Sequence, residues 1–395
     1  MVWIALIAVL FLVRMLLTAA LACCHARTAP RALPRNGAVS VLIAAYNEEV
    51  GIERTIESVL AQRIKRLQVI VVDDGSSDNT AAIVARIAHR DRRVKLIQQS
   101  NAGKAAALNT AMPHIQYPVA VSVDADSVLA PGALAALAAH FKDPRVGAVS
   151  GDVRVAGRRS WLTTFQALEY LVGQHLDKRA QQLLGAITVV PGAAGAFRTA
   201  LLRDVGGYST DTVTEDMDLT IQIAARGYRV HFEPRACSYT EPPADLHDLW
   251  RQRLRWMFGT WQVLGKHRHL MFRRRAGTLG LLGLPYVLLF GIGGGLLAPL
   301  LDFTLVAFIL SAGAALSWLE PLLTTLGAEL AATSLAVLLG RDRWQNLALV
   351  WPQRLFIRAF GAMVIAVTLY RYLRGSVVHW DKLKRHGVQL EGSRA

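Results

Sequence analysis

Apolar residues crowd the two ends of the chain, and between them short apolar runs alternate with mixed ones. Val2 to Cys24 is almost wholly apolar and long enough to span a bilayer as a helix. Arg14 interrupts it, at a cost of about 2.5–3.5 kcal/mol at a helix centre, so it is expected to face protein or to snorkel. The length of the run, with no basic stretch ahead of it, favours a retained helix over a cleaved signal peptide.

The middle of the chain predicts alternating strands and helices. Strands are expected at Ala38 to Ala45, Leu67 to Val72, Val94 to Gln98, Val119 to Val123 and Val146 to Val155. Helices fall between them at Val50 to Gln62, Thr80 to about His89, Gly103 to Met112 and Pro131 to Phe141. Elements of these lengths imply a mainly parallel sheet covered on both faces, with ligands at the carboxyl ends of the strands. Ser160 to Leu184 breaks the alternation. Its Trp161, Phe165, Leu168, Val172 and Leu176 form one stripe, so an amphipathic helix is expected, packed on the domain or, in preference because it interrupts the alternation, at the membrane surface. A short strand Thr188 to Pro191 then leads into a small-residue loop, Gly192 to Arg198, that lets a ligand approach the backbone. Thr214 to Arg226 is helical, and Val230 to Glu233 is a short strand stopped by Pro234.

Asp245 to Gly265 forms a helix with two distinct sides. Leu246, Trp250, Leu254, Met257, Trp261 and Leu264 share one, whereas Gln252, Arg255 and Trp256 lie opposite. Such a helix can lie on a bilayer or a membrane bundle and still offer polar groups to an aqueous domain. Beyond Gly277, spans are expected at Thr278 to Leu300, Phe303 to Leu319, Leu322 to Leu339 and Gln353 to Tyr370. The middle two are short enough to be re-entrant or interfacial, and Arg354 and Arg358 make the last partly interfacial. The organisation is then a transmembrane helix over 1–24, an α/β domain over 31–243 with an amphipathic helix at 160–184, an interfacial helix over 244–275, a transmembrane bundle over 277–374 and a basic tail over 375–395.

Composition sharpens this picture. The 395 residues are 53% hydrophobic with a mean hydropathy of +0.30, too apolar for an ordinary soluble enzyme. The formal charge is +15. Basic residues gather beside the apolar segments: Arg27, Arg31 and Arg35, then Lys266 to Arg275, then Arg371, Arg374, Lys382, Lys384 and Arg385. That is the positive-inside pattern, with attraction to membrane lipids. An outside N-terminus with an even number of later spans puts the middle domain and the tail in the cytosol. No aromatic–basic interleaving or zinc pattern supports nucleic acid as a partner. Cys23, Cys24 and Cys237 give neither a disulfide framework nor metal spacing; the first two are acylation candidates or, more simply, small packing residues.

Three acidic clusters stand out against the basic background: Asp73-Asp74, Asp124-Ala125-Asp126 and Thr214-Glu215-Asp216-Met217-Asp218. The first two end strands and can converge. A strand-end carboxylate can bind a base or ribose, and an Asp-x-Asp pair can hold a hard divalent cation that also takes diphosphate oxygens. A further carboxylate can serve as general base on a hydroxyl, worth roughly 10²–10⁴-fold in rate. Together they suit transfer of a group from a nucleotide diphosphate donor. Singly, each has a plainer reading: a turn, a solvated loop, a helix N-terminus complemented by charge. Trp256 could likewise be a membrane anchor, as Trp250 and Trp261 are expected to be, and Arg255 a lipid-headgroup ligand. Asp218 reads as a helix-surface or supporting group. His175, His231 and His247 suggest only packing or exposure.

In this order, the motifs resemble those of family 2 glycosyltransferases of the membrane-integrated, processive type, such as poly-N-acetylglucosamine, chitin-oligosaccharide and hyaluronan synthases. The matching pieces are Ala44-Ala45-Tyr46-Asn47-Glu48-Glu49, Val72-Asp73-Asp74-Gly75-Ser76, Asn101-Ala102-Gly103-Lys104, Asp124-Ala125-Asp126, Thr214-Glu215-Asp216 and Gln252-Arg253-Leu254-Arg255-Trp256. The resemblance covers about Ala38 to Gly265. It implies an α/β, GT-A (Rossmann-like) domain beside a transmembrane helical region with interfacial amphipathic helices, and an inverting mechanism. By that resemblance Ala45, Tyr46, Glu48 and Asp74 line a uridine pocket and Lys104 meets the diphosphate. Asp124 and Asp126 hold ribose and a divalent metal, Mg²⁺ or Mn²⁺. Asp216 is the base, with Glu215 in the catalytic set. Gln252, Arg255 and Trp256 close the donor site, Arg255 near the diphosphate and Trp256 under the acceptor sugar; Arg253 joins the substrate-binding set.

The expected function is processive synthesis of a β-linked polysaccharide from a UDP-sugar, UDP-GlcNAc first, in a bacterial inner membrane with the catalytic domain cytosolic. A growing polysaccharide or lipid-linked acceptor, membrane lipids and an accessory export or synthase subunit are the expected partners. Single transfer to a lipid acceptor is the alternative enzyme; a non-catalytic nucleotide-sugar-binding membrane subunit is the alternative of another class. Trp318, Trp344, Trp351, Tyr286 and Tyr370 are the aromatic residues available for a sugar path.

Overall fold

A computed structural model describes residues 2–28, 37–157, 160–311, 316–375 and 387. The chain starts with a long apolar helix, α1 (Val2–Ala26), before the α/β domain. There β1 (Ala38–Ala45), α2 (Ile52–Leu60), β2 (Arg66–Asp73), α3 (Thr80–Arg90), β3 (Val94–Gln98), α4 (Lys104–Ala111) and β4 (Val119–Ser122) follow in turn. β1 pairs in parallel with β2 and β4, and β2 with β3. Ala45 stands opposite Asp73, so the acidic ends of β1 and β2 are level. The strands are buried on both faces, which is why their sequences are continuously apolar rather than alternating.

Past β4 the pattern changes: β5 (Ser127–Leu129), α5 (Ala133–Ala138), β6 (Val146–Val155), α6 (Trp161–Val172), a π-helical turn at Gly173–Lys178, α7 (Arg179–Leu183), β7 (Gly195–Arg198), α8 (Thr199–Asp204), α9 (Glu215–Ala225) and β8 (Arg229–Thr240). The eight strands form one sheet in the order β3-β2-β1-β4-β7-β6-β8-β5. β7 runs antiparallel to both β4 and β6, and β5 antiparallel to β8, so the sheet is mixed though mostly parallel.

Two expectations need correction here. The strand after α7 is not Thr188 to Pro191 but Gly195–Arg198, within the expected loop. Pro191 has no amide to donate, and the Val190 amide is taken by the Thr220 hydroxyl at 2.9 Å. Gly195 fits where a Cβ would meet three neighbours at 3.0 Å. Second, β8 does not stop at Pro234. Gly151 pairs with Glu233 and Asp152 with Cys237; the bulge holds Pro234 without breaking the strand. The stripe of α6 meets the apolar helices over most of its length, with Trp161 about half exposed. Phe165 is buried and packs with Trp161 against Phe356, while Leu171 and Leu176 pack with Ala22, Ala336 and Val337. The helix is wedged between β6 and the apolar helices.

α10 (Leu246–Lys266) begins on Asp245, whose carboxylate accepts the Asp248 amide at 2.8 Å. After it come a π-helical turn at Leu279–Gly283, α11 (Leu284–Tyr286), a second π-helical segment at Val287–Gly293, α12 (Gly294–Ser311), α13 (Leu316–Gly340) and α14 (Val350–Leu373). Four helices among the described residues are long and apolar enough to cross a membrane: Val9–Ala26, Leu279–Phe303, Leu323–Gly340 and Trp344–Leu373. Three of these lie after Gly277; the expected Phe303 to Leu319 span runs across residues 312–315, which lie outside the described residues. No helix breaker separates Leu300 from Phe303; Asp302 sits inside α12, 2.5 Å from Arg354 and 3.1 Å from Arg358 of α14. Arg354 also reaches Glu329 of α13 at 2.6 Å. Arg14 faces protein, 3.1 Å from Asp177 and within hydrogen-bonding distance of Tyr286. Arg31, Arg35, Lys382, Lys384 and Arg385, and the side chain of Trp318, lie outside the described residues.

Candidate active site

The carboxyl end of β4, the loop leading into α4 and the N-terminus of α9 open onto one cleft of about 670 Å³. Lys104, Asp124, Asp126, Glu215 and Asp216 line it from the sheet side. Gln252, Arg253, Arg255 and Trp256 line it from α10. Lys104 leads α4 and its Nζ lies 2.6 Å from Asp124 Oδ1 and 3.3 Å from Glu215 Oε1. Burial pulls the amine down, but Asp124, Glu215 and Asp216 hold it well above its ordinary value. Gly192 makes room for the pair: a Cβ there would lie 2.6 Å from Lys104 Nζ and 3.0 Å from Asp124 Oδ1.

Asp216 sits in the first turn of α9, where its carboxylate accepts its neighbour Met217's amide at 2.8 Å. Burial and the adjacent Glu215 raise its pKa to about 6, against the opposing pull of Lys104. It is therefore a carboxyl poised to take a proton near neutrality. Asp218, one position past Met217, has another task. It is fully buried, not on the helix surface. His267 Nε2 lies 2.6 Å away, and Lys266 Nζ 3.1 Å. Burial works to raise its pKa, but hydrogen bonds from His267, Ser209, Lys266 and Gln222 hold it well below the carboxylate range. The pair ties α9 to the end of α10. At the other end, Gly259 lets α10 rest directly on the Thr214 side chain.

On α10 the side opposite Trp250 and Trp261 meets the cleft. Trp250 and Trp261 pack instead on Phe360 and Tyr372 of α14. Arg253 stacks over Trp256, 4.5 Å from ring to guanidinium carbon, and pairs with Glu169 at 2.8 Å. Tyr170 completes the stack, 6.4 Å from the Trp256 ring. The Oε1 of Gln252 and the Oγ1 of Thr214 are buried without a hydrogen-bond partner. Unmatched acceptors in a polar cleft fit a hydroxyl-rich ligand. The carboxylates of Asp124 and Asp126 are hard oxygen donors on one wall and fit a divalent cation. The group of three metal-capable side chains close together among the described residues, Asp245, His247 and Asp248, lies elsewhere and its Asp245 caps α10.

Ala45, Tyr46, Glu48 and Asp74 do not line the cleft itself. They cluster where β1 and β2 end. Asp74 is buried and accepts the amides of Ala102 and Gly103 at 2.9 and 2.8 Å and the Gln99 amide group at 2.7 Å. It shapes the loop that delivers Lys104. Sequence reasoning missed the contribution of the helical segment from α6 to α7, whose Glu169, Tyr170, Gly173, Gln174, Asp177, Lys178 and Gln181 form another wall. The available signal was a polar face recurring every four residues opposite the apolar stripe. Among the aromatic residues proposed for a sugar path, Trp344, Trp351 and Tyr370 are about half exposed, and Tyr286 faces Arg14.

A family model described as glycosyltransferase like family 2 matches residues 34–259. The poly-β-1,6-N-acetyl-D-glucosamine synthase of Staphylococcus aureus (strain COL) is 36% identical over 227 residues, 57% of this chain and 55% of the relative. Its counterpart from Staphylococcus epidermidis is 35% identical over 228 residues, 57% of this chain and 55% of that relative. The chain thus spans about half the length of the curated relatives it matches. Among solved structures, the mannosyltransferase PcManGT from Pyrobaculum calidifontis, in complex with GDP-Man and Mn²⁺, is 26% identical with a TM-score of 0.60, over 93% of this chain and 98% of that one.

Proposed function

The chain belongs to glycosyltransferase family 2, and from that premise we propose that it transfers sugar residues from a UDP-sugar, UDP-GlcNAc first, onto a growing β-linked polysaccharide. The convergence of Asp124, Asp126, Glu215 and Asp216 with Trp256 on one cleft carries this reading. The 36% identity to poly-β-1,6-N-acetyl-D-glucosamine synthase supports the polymer and the donor.

In this reading Asp216 takes the proton from the acceptor hydroxyl as that oxygen attacks the sugar's anomeric carbon. The bond to the diphosphate breaks on the opposite side, so the configuration inverts. Arg255 and Lys104 face the charge that develops on the departing diphosphate. Glu215 keeps Lys104 in place and keeps the Asp216 pKa up. Trp256, stiffened by Arg253 and Glu169, is the platform for the acceptor ring. Asp124 and Asp126 hold a divalent cation, Mg²⁺ or Mn²⁺, which when bound neutralises diphosphate charge. Ala45, Tyr46, Glu48 and Asp74 serve the uridine end. The cleft opens toward the cytosol of a bacterial inner membrane, and the product leaves past the apolar helices with or without an accessory subunit.

Single-sugar transfer is the second reading. The near full-length likeness to a mannosyltransferase favours it, where the synthase match covers about half of each chain. The test of the assigned base is Asp216→Asn in the detergent-purified protein. Sugar transfer is expected to fall at least about 10³-fold, with UDP binding within twofold of wild type. Transfer at the wild-type rate would remove Asp216 from the role.

A further inference from the structure

The wall built by α6, the π-helical turn and α7 turns one continuous face to the cleft. Its cleft-lining positions include Glu169, Gly173, Asp177 and Gln181, spaced by four. In a helix of 3.6 residues per turn, that row would drift about 40° at each step. The wider turn at Gly173–Lys178 removes the drift and keeps the row on the cleft; such turns recur at functional sites.

Two side chains on this wall lack the partners their chemistry calls for. Gln174 Oε1 is buried with no hydrogen-bond partner. Lys178 lines the cleft, and its amine donates to the Ser150 hydroxyl at 2.7 Å. Among the described residues it has no carboxylate at ion-pair distance. Two other cations of the cleft differ: Lys104 is held by Asp124 and Glu215, and Arg253 by Glu169. Burial lowers the Lys178 amine to about 8, while Asp152 and Asp216 hold it up.

We infer that Gln174 and Lys178 form a sugar subsite, in which the amide oxygen accepts from one acceptor hydroxyl and the amine donates to another oxygen of the same ring. The subsite rests on the reading above and adds to it. Lys104, set between Asp124 and Glu215, serves the diphosphate, whereas Gln174 and Lys178 share their wall with Tyr170, which adjoins Trp256, the acceptor platform of the reading above. Gln252 Oε1, also without a partner, accepts from the same sugar across the cleft. Lys178 and Gln174 are positioning residues: they move no proton in the transfer.

The test uses full-length protein in detergent, with a β-1,6-linked N-acetylglucosamine pentasaccharide as primer and UDP as the donor-side probe. Lys178→Gln and Gln174→Ala are each expected to raise the primer KM about tenfold. The UDP Kd and the KM for UDP-GlcNAc stay within twofold, and Lys178→Arg recovers part of the loss. An unchanged primer KM, or an equal loss of UDP affinity, overturns the subsite while leaving the enzyme reading in place. Wild-type protein that binds UDP but gains nothing from primer also overturns it. Wild-type protein that binds no UDP overturns the enzyme reading, and the subsite with it.

Discussion

At the level of single residues, the proposed role of Asp216 as base makes it set the pH range of the chemistry. Its raised pKa, about 6, comes from burial and from Glu215 beside it. The working form is the carboxylate, so activity is present above that value and is lost as pH falls through it. Transfer at pH 5 is expected to be about tenfold below its plateau. A rate–pH profile at saturating donor checks this; a flat profile from pH 5 to 8 would contradict it. Gly192 gives a second prediction. A methyl group there meets the tip of the Lys104 side chain, which is flexible and can move away. Gly192→Ala should therefore keep its melting temperature within about 2 °C yet lose at least about tenfold in UDP release. The acidic motifs and Gln252 to Trp256 were legible in the sequence because each pairs a distinctive residue type with a strand end or a helix face. Lys178 and Gln174 were not. They belong to the polar face opposite the apolar stripe, and that pattern alone does not tell whether the face meets the cleft or solvent.

Individual elements show the same division. β1, β3 and β6 appear at the residues expected, since each is a β-branched run bounded by turn residues. The side of α10 carrying Gln252 was readable from helical period alone. β7, the continuation of β8 through Pro234 and the short β5 depend on partners far along the chain, and no local signal carries them. α9 and α10 must keep a fixed relation, because one bears Asp216 and the other Trp256. Gly259 against Thr214 and His267 on Asp218 maintain it. Gly259→Ala should push α10 off Thr214 at a cost of about 1–3 kcal/mol, seen as a lower melting temperature together with a loss of transfer. An alanine variant of wild-type stability and activity would show that the contact yields freely.

At the scale of the whole molecule, the α/β domain and the apolar helices form one body joined by α6, α10 and α14. The charges inside the apolar helices hold them together rather than interrupt them. Asp302 and Glu329 face Arg354 and Arg358 across α12, α13 and α14. Removing one member leaves the others buried and incompletely paired. Asp302→Ala is expected to destabilise the protein by on the order of 3 kcal/mol, measured as thermal unfolding in detergent; no change would make the network dispensable. Asp302 can sit inside α12 because its charge is matched from a helix about 50 residues later, a partner that no local sequence signal reveals. The central claim is that the cleft transfers sugar from a UDP-sugar to a lengthening chain. Its most direct test is UDP release by the purified protein with UDP-GlcNAc, UDP-Glc or UDP-GlcA, each with Mg²⁺, Mn²⁺ or a chelator, with product length read on the same samples. The account predicts release that is fastest with UDP-GlcNAc, lost with the chelator and accompanied by long products. Release that yields only one-sugar adducts would contradict the polymer, and no release with any donor would contradict the enzyme.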